Sequence, residues 1–148
     1  MSITNDKDFK SALAQLPLAS QRRLAGAFTR RVLDLCSDVR VKAAVQAAER
    51  ADITDAELAL LLPSVHSARV ESYTQCGRDT GWGPQAGHFV AKAAESCMRT
   101  AAGGDNLAWD AAMQARLART CQTVADGEGT DTTEAAGQYQ LLESFLKT

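Results

Sequence analysis

Apolar side chains recur along nearly the whole chain at three- and four-residue spacing, and no run alternates with the two-residue rhythm of a strand. That rhythm restricts the fold to helices packed on helices. Leu24, Phe28, Val32 and Leu35 show it at i, i+4, i+8 and i+11. Aromatic residues are only 5% of the chain, so alanine, leucine and valine must build most of the core. Small side chains imply helices that approach closely and bury little area per residue. The 148 residues suffice for one domain with a real interior. The expected architecture is an all-α, single-domain bundle of six or seven helices over residues 1–148, with a C-terminal helix in 131–148 after a flexible linker.

Helix signals divide the chain further. A first helix is expected over about 6–15, with Phe9, Leu13 and Leu16 inward and Pro17 as its stop. A second begins near Ser20 and carries the Leu24 stripe, flanked by Arg22, Arg23, Arg30 and Arg31. These arginines read as a solvated face that can also serve as a basic patch. A third opens at an N-cap Ser37, with Asp38 in its first turn and Val41, Ala44, Val45 and Ala48 buried. Thr54-Asp55-Ala56-Glu57 is a capping-box pattern for the fourth, with Ile53 placed to staple onto Leu58. Pro63 inside its pattern predicts a kink or a division, and Gly77 predicts its end. The fifth should run from Pro84 or Gln85 to Thr100, burying Ala86, Val90, Ala93 and Cys97, and stop at Gly103-Gly104. The sixth, about 105–125, should turn Trp109, Met113, Leu117, Cys121 and Val124 inward. The last, about 132–146, should bury Tyr139, Leu142, Phe145 and Leu146.

A net charge of −2 argues against broad phosphate neutralisation, so no nucleic-acid partner is expected. No run approaches the roughly 18 consecutive apolar residues of a membrane span, and the N-terminus lacks the apolar stretch of a secretory signal. No membrane partner and a cytoplasmic location are the expectation. Cys36, Cys76, Cys97 and Cys121 are widely spaced with no CxxC pair, and are expected as free thiols.

One stretch breaks the helical rhythm: Tyr73-Thr74-Gln75-Cys76-Gly77-Arg78-Asp79-Thr80-Gly81-Trp82-Gly83-Pro84-Gln85-Ala86-Gly87-His88. Polar and aromatic side chains concentrated on a connection between rigid elements mark a candidate site. Tyr73, Gln75, Cys76, Arg78, Asp79, Trp82 and His88 are its candidate binding residues. Arg and Trp are favoured interface anchors, yet Arg78 can also pair with Asp79 and Trp82 can plug the end of the bundle. His88 shares a stripe with Lys92, Glu95 and Arg99. It therefore reads as a solvated residue, a loop anchor or a group titrating near neutral pH.

Catalytic motifs are missing. There is no HExxH, CxxC or GxSxG. Gly77, Gly81 and Gly83 precede a helix, but at the spacing of neither a P-loop nor a dinucleotide fingerprint. Asp126–Asp131 looks superficially like a calcium loop. It lacks the glycine at position six and has Gly137 where the glutamate should stand. Cys76 with His88 is the one Cys/His pair close in sequence, and a cation such as Arg78 would favour its thiolate. A small thiol at a helix end is the simpler reading. No catalytic residue, metal or cofactor is expected.

Asp38-Val39-Arg40-Val41-Lys42-Ala43-Ala44, Ile53-Thr54-Asp55-Ala56-Glu57-Leu58, Tyr73-Thr74-Gln75-Cys76-Gly77-Arg78 and Gln85-Ala86-Gly87-His88-Phe89-Val90-Ala91-Lys92-Ala93 resemble a group of uncharacterised proteobacterial all-helical proteins. About half of the chain carries this resemblance. Asp38, Arg40, Lys42 and the Ala86-Gly87-His88 helix entry are also similar to a family of bacterial immunity proteins. That family is assigned by context as protectors against toxins. The inserted Cys76 to Pro84 segment departs from its more continuous alanine-rich pattern. The missing catalytic motifs and the aromatic and Arg anchors point to a helical interaction protein that docks a protein partner, toxin-like or other, through the 73–88 surface, and the resemblance implies an immunity-like role for it. The alternative is a small-molecule-binding protein or enzyme with a pocket between helices four and five. A homo-oligomer packing through small-residue faces is a third expectation.

Overall fold

The computed structural model describes residues 2–78, 81–100 and 106–148, and the side chains of all of these except 76–78. Seven α-helices form among the described residues: α1 Asp6–Ala14, α2 Leu18–Arg30, α3 Val39–Ala48, α4 Asp55–Arg78, α5 Trp82–Met98, α6 Leu107–Ala125 and α7 Glu134–Leu146. A short 3-10 turn, Leu33–Leu35, joins α2 to α3. No strand occurs among them, and the chain is an all-α single-domain bundle.

Helix α5 is the centre. It packs against α2, α3, α4, α6 and the 3-10 turn, and its contact with α6 is the most extensive of any helix pair. Burial therefore extends well beyond the narrow expected face and takes in Ala86, His88, Val90, Ala91, Ala93, Ala94, Ser96, Cys97 and Met98. Opposite it, α6 buries Ala108, Ala111, Ala112, Ala115 and Ala118. The expected inward stripe of α6 is corrected accordingly. Leu117 is 44% exposed and Trp109, Met113 and Val124 are half-buried; of the five, only Cys121 is buried. The alanine face wins because a central helix touched on several sides is approached most closely by methyl groups, and dispersion falls steeply with separation.

Two apolar clusters result. One surrounds α5 and contains Val41, Val45, Val65, Val90 and Met98. The other gathers Phe9, Leu13, Leu24, Phe28 and Leu142 beneath the N-terminal helix. There the Phe9 ring meets Phe28, Trp109 and Tyr139 at centroid distances of 5.6, 6.1 and 5.2 Å, a spacing typical of tilted aromatic pairs.

Local signals explain most helix ends. The Asn5 side chain accepts from the Asp8 amide and caps α1. Thr54 and Glu57 satisfy each other's backbone N–H groups at the start of α4. At the end of α6, the Glu128 N–H reaches the Thr123 carbonyl and the Gly127 N–H reaches that of Val124. Gly127 there has φ +75°. This is a Schellman termination, so the acidic Asp126–Asp131 segment begins as a helix cap.

Several expected boundaries move. Helix α3 is capped by Asp38 rather than Ser37. The α2 pattern ends at Arg30, leaving Val32 outside the helix and Leu35 in the 3-10 turn. Helix α4 is not divided at Pro63. Pro63 and Ala59 are both exposed, so water can take the carbonyl that the proline cannot serve. Helix α4 continues to Arg78 and α5 starts at Trp82, so most of the expected long loop is helical. Pro84 fits inside the first turn of α5, where an N–H has no intrahelical acceptor. Leu146 is 42% exposed, and Tyr139 and Phe145 are only partly covered. Helix α5 ends at Met98 rather than Thr100, with Arg99 already extended at φ −68° and ψ 148°; Gly103-Gly104 lies outside the described residues.

Candidate functional site

Helix α5 enters the bundle beside two other segments: the C-terminal half of α4 and the Leu35–Val41 connection into α3. Gly87 stands where α5 meets the connection. A Cβ there would stand 3.4 Å from the Leu35 carbonyl oxygen. Between the three segments lies a cavity of about 330 Å³. Its polar walls are Cys36, Ser37 and Asp38 from the connection and Glu71, Ser72 and Gln75 from α4; Gly83, Pro84 and Gly87 of α5 close the third side.

Arg40 fixes the mouth. Its guanidinium forks onto Asp38, from Nε at 3.1 Å and Nη2 at 2.7 Å, and onto Glu71, from Nη1 at 3.3 Å and Nη2 at 2.6 Å. It thereby ties the start of α3 to α4. The side-chain hydrogen bonds from Arg40 hold both carboxyls below the usual carboxylate range, and the two carboxylates in turn push the arginine upward. Among the described residues at the rim, two carboxylates face one guanidinium, and Lys42 is close enough to act on Cys36. Burial raises the Cys36 thiol, which leaves it a neutral wall group at neutral pH. The cavity therefore suits a neutral polar or cationic group.

His88 sits behind this wall. It is 8% exposed, and its Nδ1 lies 2.9 Å from Ser72 Oγ. Ser72 Oγ also donates to the Arg69 carbonyl at 2.7 Å. With that single proton committed, Nδ1–H is the donor to Ser72. The pair is an anchor between α4 and α5, not a nucleophile with its base. Burial depresses the His88 pKa and the Lys92 charge adds to the effect, while a hydrogen bond to the Arg69 backbone works against it. The solvated reading of His88 is corrected. Its ring lies against Tyr73 and Phe89, at 5.6 and 5.8 Å between centroids.

The rest of the stripe is also employed between helices. Glu95 Oε2 accepts from Arg69 Nε at 2.7 Å and lies 2.9 Å from His66 Nδ1, while Arg99 reaches Asp110 on α6 at 2.7 Å. Glu95 and Arg99 are half-buried, so each pairs with a charged group of a neighbouring helix while keeping some contact with water.

The other candidates divide. Gln75 lines the cavity. Tyr73 is 68% exposed on α4, and Trp82, the first residue of α5, is 46% exposed. Cys76 and Arg78 lie in the last turn of α4, but their side chains are outside the described residues, as is Asp79 altogether. Of the expected residues whose side chains are described, only Gln75 lines the cavity. Sequence reading missed Asp38, Arg40, Glu71 and Ser72. The Asp-x-Arg spacing was noticed only as part of a helix start, and no local pattern links it to Glu71.

Among the described residues, no group of three His, Cys, Asp or Glu side chains is placed to hold a metal. No helix among them is long and apolar enough to cross a membrane. No protein-family model, curated protein or solved structure matches the chain.

Proposed function

We propose that this chain is a helical docking protein that receives a protein partner at the corner where α4 passes into α5. One observation carries the reading. The chain has eight aromatic residues of the Phe, Trp and Tyr types, and six of them are buried or half-buried. The two exposed ones, Tyr73 and Trp82, both stand at this corner. Large amphipathic side chains left in water beside a cavity are the usual anchors of a protein interface. Tyr73 and Trp82 would supply the apolar contact. The cavity would receive one partner side chain, with lysine or arginine favoured by the two rim carboxylates. No chemistry on the partner is required. The resemblance to immunity proteins makes a toxin-like polypeptide the first partner class to test.

The test is affinity against a partner purified with the chain from its own host. Tyr73→Ala and Trp82→Ala should each weaken binding by about tenfold or more, with the far-UV circular dichroism unchanged. Undiminished affinity in both variants removes this site.

The cavity itself favours a second reading, a small polar or cationic ligand held by Asp38, Glu71, Ser72 and Gln75. Glu71→Gln would then abolish ligand binding while leaving a protein partner bound through Tyr73 and Trp82.

A further inference from the structure

A second cavity, of about 260 Å³, lies at the opposite end of α4, between the start of α2, the end of α3 and the first turn of α4. Arg22, Arg23 and Arg50 enter its wall together with one carboxylate, Asp55. The remainder is mainly apolar and includes Leu18, Ile53 and Leu58.

Arg22 makes the site unusual. It is 5% exposed, yet it pairs with no carboxylate among the described residues. Its Nη1 donates to the carbonyls of Cys97 and Arg99, at 2.6 and 2.9 Å, and so caps the C-terminal end of α5. Its Nε and Nη2 donate to nothing among the described residues, and Arg22 lines the cavity. Burial works against its charge, although Asp55 offsets part of that cost at a distance. Arg23 likewise has no ion pair among the described residues; its guanidinium lies 5.3 Å from the Phe145 ring centroid. Arg50 is already held by Asp52 and Glu57, at 3.0 and 2.7 Å.

A buried cation normally finds a paired anion, because desolvation without pairing is costly. Here two arginines share a cavity with one carboxylate that bonds to neither. A planar guanidinium edge with two free donors matches a carboxylate fork, and the apolar walls match a short hydrocarbon tail. We propose that this cavity binds a carboxylate bearing an apolar tail, with the carboxylate on the Nε–Nη2 edge of Arg22 and the tail against Ile53 and Leu58. The cavity exceeds the roughly 150 Å³ that holds benzene in a protein interior, so a six-carbon acid has room. The same chemistry has two sources: a free short-chain acid, or the C-terminal carboxylate of a polypeptide ending in leucine.

Titration of the full chain with hexanoate, followed by NMR of the arginine Nε–H groups and by calorimetry, tests this. Hexanoate should shift the Arg22 Nε–H resonance and bind below about 10 mM, whereas hexanol should not bind. Arg22→Gln keeps a donor for the Cys97 carbonyl and should weaken binding about 10- to 100-fold. Ala51→Phe fills the cavity from an exposed position without touching the core and should abolish binding in a folded protein. Asp55→Asn should tighten binding severalfold. A short peptide with a free C-terminal leucine that binds more tightly than hexanoate, and loses binding on amidation, assigns the polypeptide source. The reverse order assigns the free acid. Absence of binding by both carboxylates, equal binding of hexanol, or unchanged binding to Ala51→Phe overturns the proposal.

Discussion

Replacing three glycines by alanine should give three different results, because the space at each is different. At Gly26, on α2, an added Cβ would lie 3.0 Å from Ala48 Cβ, 3.0 Å from Glu49 Cγ and 3.3 Å from the Glu49 nitrogen. Carbon atoms pack comfortably at about 3.5–4.0 Å, so α2 and α3 must separate by roughly half an ångström or more. Ala48 Cβ and the Glu49 backbone cannot swing aside as a flexible side-chain end can. Such overpacking costs about 1–3 kcal/mol, and three simultaneous contacts place this site in the upper part of that range. The helix preference of alanine over glycine returns about 0.5–1 kcal/mol. The net expectation for Gly26→Ala is about 1–2 kcal/mol of destabilisation. At Gly83, in the first turn of α5, nothing among the described residues stands within 4 Å of the new Cβ, so Gly83→Ala should stabilise by about 0.5 kcal/mol. Gly87→Ala meets only the Leu35 oxygen at 3.4 Å and should change stability by less than about 0.5 kcal/mol. With a urea slope of about 2 kcal/mol per molar, the midpoints of Gly26→Ala and Gly83→Ala should differ by about 1 M. A Gly26→Ala protein as stable as the parent would refute the close α2–α3 contact. A destabilised Gly83→Ala would refute the start of α5 at Trp82.

Protonation of His88 should cost stability. Its folded pKa lies below the usual value near 6.5, so its contribution is complete above that value and is lost as pH falls from there toward the folded pKa. The slope should reach at most about 1.4 kcal/mol per pH unit, and His88→Phe should remove that component from urea midpoints measured between pH 5 and 8. Burial pushes the Cys97 thiol up to about 12, so native-state alkylation of Cys97 at mildly alkaline pH should proceed only as fast as the chain opens. Ala115→Leu should cost about 1–3 kcal/mol by overpacking the α5–α6 contact, while Leu117→Ala should cost under about 1 kcal/mol; equal costs would contradict the inward alanine face.

Helical periodicity carried the fold class, and local chemistry carried the ends with their own signatures, such as the Thr54–Glu57 box. Periodicity did not carry the faces of α6. Trp109, Met113 and Leu117 satisfy the same spacing as an inward stripe, and only the position of α5 decides that the alanines turn inward. The conspicuous segment before His88 misled in a similar way. Gly77, Gly83 and Pro84 look like loop residues, yet a last helical turn tolerates glycine and a first turn accepts proline. Asp38, Arg40 and Glu71 were invisible as a site because an ion-pair network joins residues 31 positions apart. Arg22 looked like one of four solvated arginines, since nothing local shows that the carbonyl end of α5 lies over it.

The most direct measurement places a photoreactive benzophenone amino acid at Tyr73, at Trp82 and, as a control, at Leu60, which is 77% exposed nearer the start of α4. Irradiation in the chain's own host should give one discrete heavier product from Tyr73 and Trp82, containing a different protein, and none from Leu60. Absence of product at the corner, equal product from Leu60, or a product containing only a second copy of this chain would contradict the docking account.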